Sequence, residues 1–339
     1  MTKAGLQQCI GDPGCFQNKD LIVSTHVDDM ARYGTITALE AFEKAVESEV
    51  ELEKLGRPTR LLGMELDWGK DYIQLTQKDL IGKLATEHQI PPNPRKSLPS
   101  NPLNYEQEEK LPDPTKYQSI VGSLLYISRM TRPNISFIVN LLGRRSSDPS
   151  PTHLVMAKWV CQYLLSMINE GVIIAKGRQE DRIKGYVDAS QPKEEEGSRC
   201  QSGSLVTLYG IPVMWTSRRQ DVVAMSITEA EYIAISEGLK DLAWIRQFLQ
   251  EIMPHKEPWV PTVFTDNEAA QKLSKTQTYH RRTRHILHRF HYIRQEVDNH
   301  LATIQRIPGK ENPADIFTKI LAMSTVKAWK DFWMKSETH

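Results

Sequence analysis

The second half of this 339-residue sequence predicts an α/β fold with a mixed five-stranded sheet, and the first half reads as an α+β region. Three observations carry that reading. Strand and helix patterns follow in the order β-β-β-α-β-α-α-β-α, which suits an antiparallel meander extended by parallel strands through right-handed crossovers. Aspartates close two of the strand patterns, in GYVDAS and VFTDN, at the ends where open α/β sheets bind ligands. The chain is also long enough for about two domains.

Composition sets the outer limits. With 40% hydrophobic and 25% charged residues, the chain falls in the globular range. No apolar run approaches the roughly 20 residues that span a bilayer, so no membrane partner is expected. MTKAGLQQCIGDPGCF lacks the apolar segment of a signal peptide. Cys9, Cys15, Cys161 and Cys200 make no paired zinc spacing and suit a reducing compartment. An intracellular protein, cytoplasmic or nuclear, is the expectation.

The elements justify themselves in order. DLIVSTHVDDM reads as a strand, and ALEAFEKAVESEVELEKLG as an acidic helix with a solvated face. RLLGMELDW and YIQLTQ flank Gly69, Lys70 and Asp71 as a hairpin. KDLIGKLATEH resumes a helical period. Residues 90–114 are rich in Pro and Asn and read as a linker. Three amphipathic helices follow, in TKYQSIVGSLLYISRM, NISFIVNLLGRRSS and PTHLVMAKWVCQYLLSMI. Beyond them come the strands RIKGYVDA, CQSGSLVTLYG and IPVMWTSRR, and the long helix ITEAEYIAISEGLKDLAWIRQFLQEI. PTVFTD, NEAAQKLSK, a basic helix, LATIQRIPG and a helix from NPADIFTKI complete the order.

Four acids stand out in that frame. Asp188 and Asp266 end strands, although turn formation and N-capping would also account for them. Asp315 lies in the first turn of a helix, where the dipole favours an anion. On the long helix, Ser226 and Glu229 form the S-x-x-E pattern of a capping box. Glu231 lies about 200° round from Glu229, among Ala230, Ile233, Ala234 and Ile235, so it is expected to face the sheet. A carboxylate there needs a cation or hydrogen bonds. Such an all-oxygen set suits Mg²⁺ or Mn²⁺ rather than zinc, and two such ions can drive phosphodiester cleavage. Residues Lys272 to Arg294 carry seven Lys/Arg, four His and no acid, a block that favours a polyanion.

These residues carry a family resemblance. GYVDAS, SGSLVTLYG, WTSRRQDVVAMSITEAEYIAISEGLKDLAWIR, FTDNEAAQKLS, HRRTRHILHRFHYIR and IPGKENPADIFTK resemble, in order and spacing, the ribonuclease H domain of copia-type LTR retrotransposon Pol polyproteins. The resemblance implies a ribonuclease H-like fold over residues 170–322. It places the catalytic and metal-binding quartet on Asp188, Glu231, Asp266 and Asp315, with two Mg²⁺ or Mn²⁺ ions and an RNA·DNA hybrid as substrate. Arg281, Arg282, Arg284, His285 and Arg289 become candidate nucleic-acid contacts. The chain departs from the family pattern HIDIRYH by reading HILHRFH, which sets His285, His288 and His291 three apart.

The first half is similar to the same polyproteins. GDPGCFQNKDLIVSTHVDDMARYG resembles the reverse-transcriptase palm hairpin, which makes Asp28 and Asp29 a vestigial polymerase metal pair, with His26 where the motif has Tyr. The segments after it resemble the following palm, thumb and connection. The expected division is a partial palm over 1–89, a linker over 90–114, a helical thumb/connection region over 115–169, the ribonuclease H-like domain over 170–322, and a C-terminal helix and tail over 323–339. The resemblance also implies a polymerase lacking its third Asp and its fingers, with the missing portion of a longer polyprotein as an expected partner. The expected activity is metal-dependent hydrolysis of the RNA strand of RNA·DNA hybrids, without RNA-directed DNA polymerase activity. The alternative is a non-catalytic nucleic-acid-binding remnant of a decayed retroelement.

Overall fold

The structure is a computed structural model that describes residues 5–49, 51, 53–99, 108–176, 183–191, 199–254, 259–275 and 287–334. Two short strands, β1 (Gln7–Gln8) and β2 (Cys15–Gln17), lead into β3 (Leu21–His26) and β4 (Asp29–Gly34), and the four form one sheet in chain order. DLIVSTHVDDM, read as a single strand, is therefore a hairpin. Helix α1 (Ile36–Glu47) packs Phe42 on Leu6, Leu21 and Val23. The helix was expected to run further, but Lys54 folds back onto Glu43 and Glu47 at 2.8 and 2.7 Å. Among the described residues from 43 to 56, none is buried to hold another turn.

A second sheet holds β5 (Arg60–Leu61), β6 (Met64–Trp68), β7 (Tyr72–Thr76) and β8 (Val172–Ala175). RLLGMELDW thus splits into two strands, because Leu62 and Gly63 both take positive φ, as a tight hairpin turn demands. Strand β8 pairs with β7 and buries Val172 and Ile173. These residues, placed after the expected boundary at 170, thus belong to the second sheet.

Helix α2 (Lys78–Glu87) joins α3 (Thr115–Met130), α4 (Ser136–Gly143) and α5 (Pro151–Ser166) in one apolar core, with Ile81 and Leu84 against Tyr117, Ile120, Leu124 and Val160. The division at residue 89 consequently does not separate two cores. Residues 91–99 form a strap rather than a free linker. Trp159 on α5 donates to the Ser97 carbonyl at 2.8 Å, and the Arg95 guanidinium lies 4.3 Å from the Trp159 ring centre.

The third sheet is the five-stranded one. It contains β9 (Ile183–Ser190), β10 (Gln201–Leu208), β11 (Ile211–Arg219), β12 (Thr262–Thr265) and β13 (Thr303–Arg306), in the order β11-β10-β9-β12-β13. Strands β9 to β11 are antiparallel, whereas β12 runs parallel to β9 and β13. This is the mixed α/β architecture that the element order predicts. Helix α6 (Ile227–Ile252) presses Tyr232, Ile233, Ile235, Leu239 and Leu242 onto Val187, Val206, Val263 and Ile304. Helices α7 (Glu268–Lys275) and α8 (Leu287–Asp298) follow. The opposite face of the sheet is closed by Leu205, Ala314, Phe317 and Val326, with Val326 on α9 (Met323–Met334). NPADIFTKI, expected as a helix, forms a 3₁₀ helix over Pro313–Phe317.

The first and third sheets meet at α6. Trp244 donates to the Gly11 carbonyl at 2.8 Å, while Glu251 accepts from the Ile10 and Gly11 amides.

Candidate functional site

Local folding decides where each acid goes. Asp188 lies near the end of β9, paired with Gly203 of β10. A Cβ at Gly203 would come within 2.8 Å of Phe317 and 2.9 Å of the Ala314 carbonyl. The bare glycine thus lets the 3₁₀ turn bearing Asp315 lie against β10. Asn312 staples that turn to β9, donating to the Val187 carbonyl at 2.8 Å and accepting from the Ala314 amide at 3.1 Å. Ser190 adds a bond to the Thr318 carbonyl at 2.7 Å. On the other side, a Cβ at Gly309 would stand 2.8 Å from an Asp266 carboxylate oxygen, so a larger residue there would push that carboxylate aside.

Helix α6 separates its two early glutamates as their spacing predicts. The Ser226 side chain accepts from the Glu229 amide at 3.2 Å, and Glu229 accepts in return from the Met225 amide at 3.0 Å. Glu229 therefore reaches one residue further back than a standard capping box, and it is occupied in closing the helix start. Glu231 points into the sheet.

Asp188, Glu231 and Asp266 each offer an oxygen within 4.8 Å of the others. Asp188 and Glu231 are 3% and 4% exposed. Glu231 Oε2 is buried and has no hydrogen-bond partner. Burial, then the Asp188 and Asp266 charges, push the Glu231 carboxyl up to about 9, against a backbone hydrogen bond from Ala189. Burial raises Asp188 to about 6 although Thr318 donates to it. Asp266 is raised by burial and by Asp188. Three desolvated acids with a spare oxygen form a donor set that suits a cation.

Asp315 joins from the side. Its neighbour is Asp188, whose carboxyl it helps to raise, and its Oδ1 lies 2.7 Å from Lys319 Nζ. Lys319 also lies 4.0 Å from Asp188 Oδ2. Burial lowers the lysine, but its Asp315 hydrogen bond, with Asp188 and Asp266, leaves it above the usual value. Sequence reasoning missed Lys319, Thr318 and Asn312. The available signals were the four-residue spacing of Asp315 and Lys319 and the Asn-Pro start of the turn.

The remaining candidates are dispersed. Asp28 occupies the turn between β3 and β4, and Asp29 begins β4 opposite His26. Both are exposed, and Val27 beside them has φ 53°, a strained value for a β-branched residue. Among the described residues, neither belongs to a group of three potential metal ligands. Arg281, Arg282, Arg284 and His285 lie outside the described residues. Arg289, expected to face phosphate, pairs with Glu237 of α6 at 3.3 Å and keeps its side chain partly exposed. Glu237 is nearly buried and also binds Arg218 at 2.7 Å, so Arg289 serves to neutralise it. His288 and His291 are exposed.

The chain is similar to known proteins over most of its length. It is 31% identical to the retrovirus-related Pol polyprotein from transposon TNT 1-94 of Nicotiana tabacum over 93% of its own length and 24% of that protein. It is also 31% identical to the retrovirus-related Pol polyprotein from transposon RE1 of Arabidopsis thaliana, over 77% of its length and 18% of that protein. The chain thus spans about a quarter or less of the length of these relatives. A crystal structure of LC11-RNase H1 in complex with RNA/DNA hybrid matches 41% of the chain and 96% of that protein, at 17% identity and a TM-score of 0.31. No protein-family model matches the chain. Among the described residues, no helix is long and apolar enough to cross a membrane.

Proposed function

Because the chain belongs to the retrovirus-related Pol polyproteins of transposons, we propose that its C-terminal domain is a copia-type ribonuclease H that hydrolyses the RNA strand of RNA·DNA hybrids. The observation that carries this reading is the trio of buried Asp188 and Glu231 with half-buried Asp266, within 4.8 Å of one another and holding an unpartnered Glu231 oxygen. Carboxylates so placed suit a hard divalent cation, and Asp188, Glu231 and Asp266 would hold it, with Asp315 at the margin. Bound there, two Mg²⁺ or Mn²⁺ ions would supply water activation and charge stabilisation at the leaving oxygen.

The chain's own residues do the rest. Thr318 and the Asn312 staple fix Asp188 and its strand, so the ligand oxygens are oriented before substrate arrives. Burial of Glu231 and Asp188 keeps water from competing for their oxygens. Arg281, Arg282, Arg284 and His285 are assigned to backbone phosphates, contacts that position a duplex without reading its sequence. The ribose 2′-hydroxyl distinguishes the strand to be cut. The Asp28–Asp29 hairpin is assigned to a reverse-transcriptase palm, and its exposed pair, with no third acid beside it among the described residues, is assigned no polymerase activity of its own.

The test is a hybrid labelled on its RNA strand. The purified chain is expected to cut it with Mg²⁺ or Mn²⁺ and not with chelator, and to leave duplex DNA intact. Absence of cutting with either ion would favour a non-catalytic nucleic-acid-binding remnant.

A further inference from the structure

Lys319 is the one part of the acid site that the proposed chemistry does not use. Its ammonium lies 2.7 Å from Asp315 Oδ1 and 4.0 Å from Asp188 Oδ2. Two features bring it there. Lys319 follows Asp315 by four residues, so both side chains leave the same side of the turn. The Lys319 amide also bonds the Asp315 carbonyl at 3.2 Å, which fixes the origin of the side chain. Its stem lines a cavity of about 230 Å³ between the helical region and the 3₁₀ turn, with Phe137, Ile138, Ile316 and Ile320. Apolar walls of that kind hold lysine methylenes while leaving the charged head free. The side chain is 47% exposed, so the head can also turn outward to water.

We propose that Lys319 is a tethered counter-cation: it lies over Asp188 and Asp315 when no divalent ion is bound and must withdraw when one enters. This rests on the metal-centre reading above. One ammonium cannot neutralise four neighbouring acids, so a divalent ion wins the competition. The lysine nevertheless weakens its hold, since like charges a few ångströms apart repel strongly where water is scarce. Lys319 thereby holds the acids in place before loading and sets the ion concentration at which the site fills.

The experiment is calorimetric titration of Mn²⁺ into the metal-free chain, at low and high KCl. The proteins compared are the wild type, Lys319→Met, Lys319→Gln, Lys319→Arg and Asp188→Asn. Lys319→Met and Lys319→Gln should each bind Mn²⁺ about tenfold more tightly than the wild type, given the like charge removed. Lys319→Arg should stay near the wild type. The gap should narrow at high KCl, because exposed charges are screened. The metal-free Lys319→Met protein should also melt at a lower temperature. If Asp188→Asn binds Mn²⁺ as well as the wild type, the metal-centre reading fails and takes this role with it. If Asp188→Asn loses binding but the Met and Gln variants bind no more tightly than the wild type, only the counter-cation fails. Unchanged Mn²⁺ affinity with weakened hybrid binding would likewise overturn it, making Lys319 a phosphate contact.

Discussion

Two acidic turns of this chain look alike in the sequence and differ in almost every physical respect. Asp28 and Asp29 belong to a hairpin tip, both exposed, with water to solvate each charge. Asp188 lies inside β9, near its end, where α6 brings Glu231 and the residue after β12, Asp266, to within 4.8 Å, and water is largely excluded from Asp188 and Glu231. An exposed pair costs little to keep and so says little about use. Two buried acids with a half-buried third are costly in the charged form, which is why their clustering points to a cation that offsets the cost.

The contrast can be broken most forcefully at α6. Glu231→Gln keeps the shape and removes a ligand charge, so hybrid cleavage should fall at least about 100-fold, beyond the usual loss for an outer-shell partner. Glu229→Gln should cleave nearly as the wild type does, because Gln also closes a capping box. Glu229→Ala should cost about 1 kcal/mol in denaturant unfolding, the usual worth of a cap. A reversal of the two Gln variants would place the functional acid at Glu229.

Stability against pH sharpens the same comparison. Asp188 and Glu231 are raised to about 6 and about 9 when folded, so both bind protons more tightly in the folded chain. Metal-free stability should therefore fall as pH rises from the ordinary carboxylate range toward 9. Glu231→Gln should flatten that decline and melt higher than the wild type at pH 9 in chelator. A wild-type melting temperature that climbed steadily over this window would contradict the burial account. The exposed pair predicts the smallest effect: Asp28→Asn with Asp29→Asn should shift stability by no more than about 0.5 kcal/mol. Neither this variant nor the wild type should extend a DNA primer on an RNA template.

What could be read in the sequence follows the same physical line. Helix α3 runs over Thr115–Met130, the segment its apolar period marks, because six of its residues bury on one core. The strand order around Asp188 was legible because alternation and turn residues agree locally. Strand β8 was not, since four residues, VIIA, take their conformation from the free edge of β7 rather than from their own pattern. The 3₁₀ form of Pro313–Phe317 depends on Asn312 reaching Val187, a contact 125 residues away in sequence. The pairing of Arg289 with buried Glu237 of α6 was likewise not legible, since it joins residues 52 positions apart.

The most direct measurement compares three proteins on one RNA-labelled hybrid in Mg²⁺: the wild type, Asp188→Asn, and the Asp28→Asn, Asp29→Asn double variant. The account predicts equal cleavage by the wild type and the double variant, and none by Asp188→Asn while its fold survives by circular dichroism. Wild-type cleavage by Asp188→Asn, or its loss in the double variant alone, would contradict the assignment of the chemistry to the buried acids.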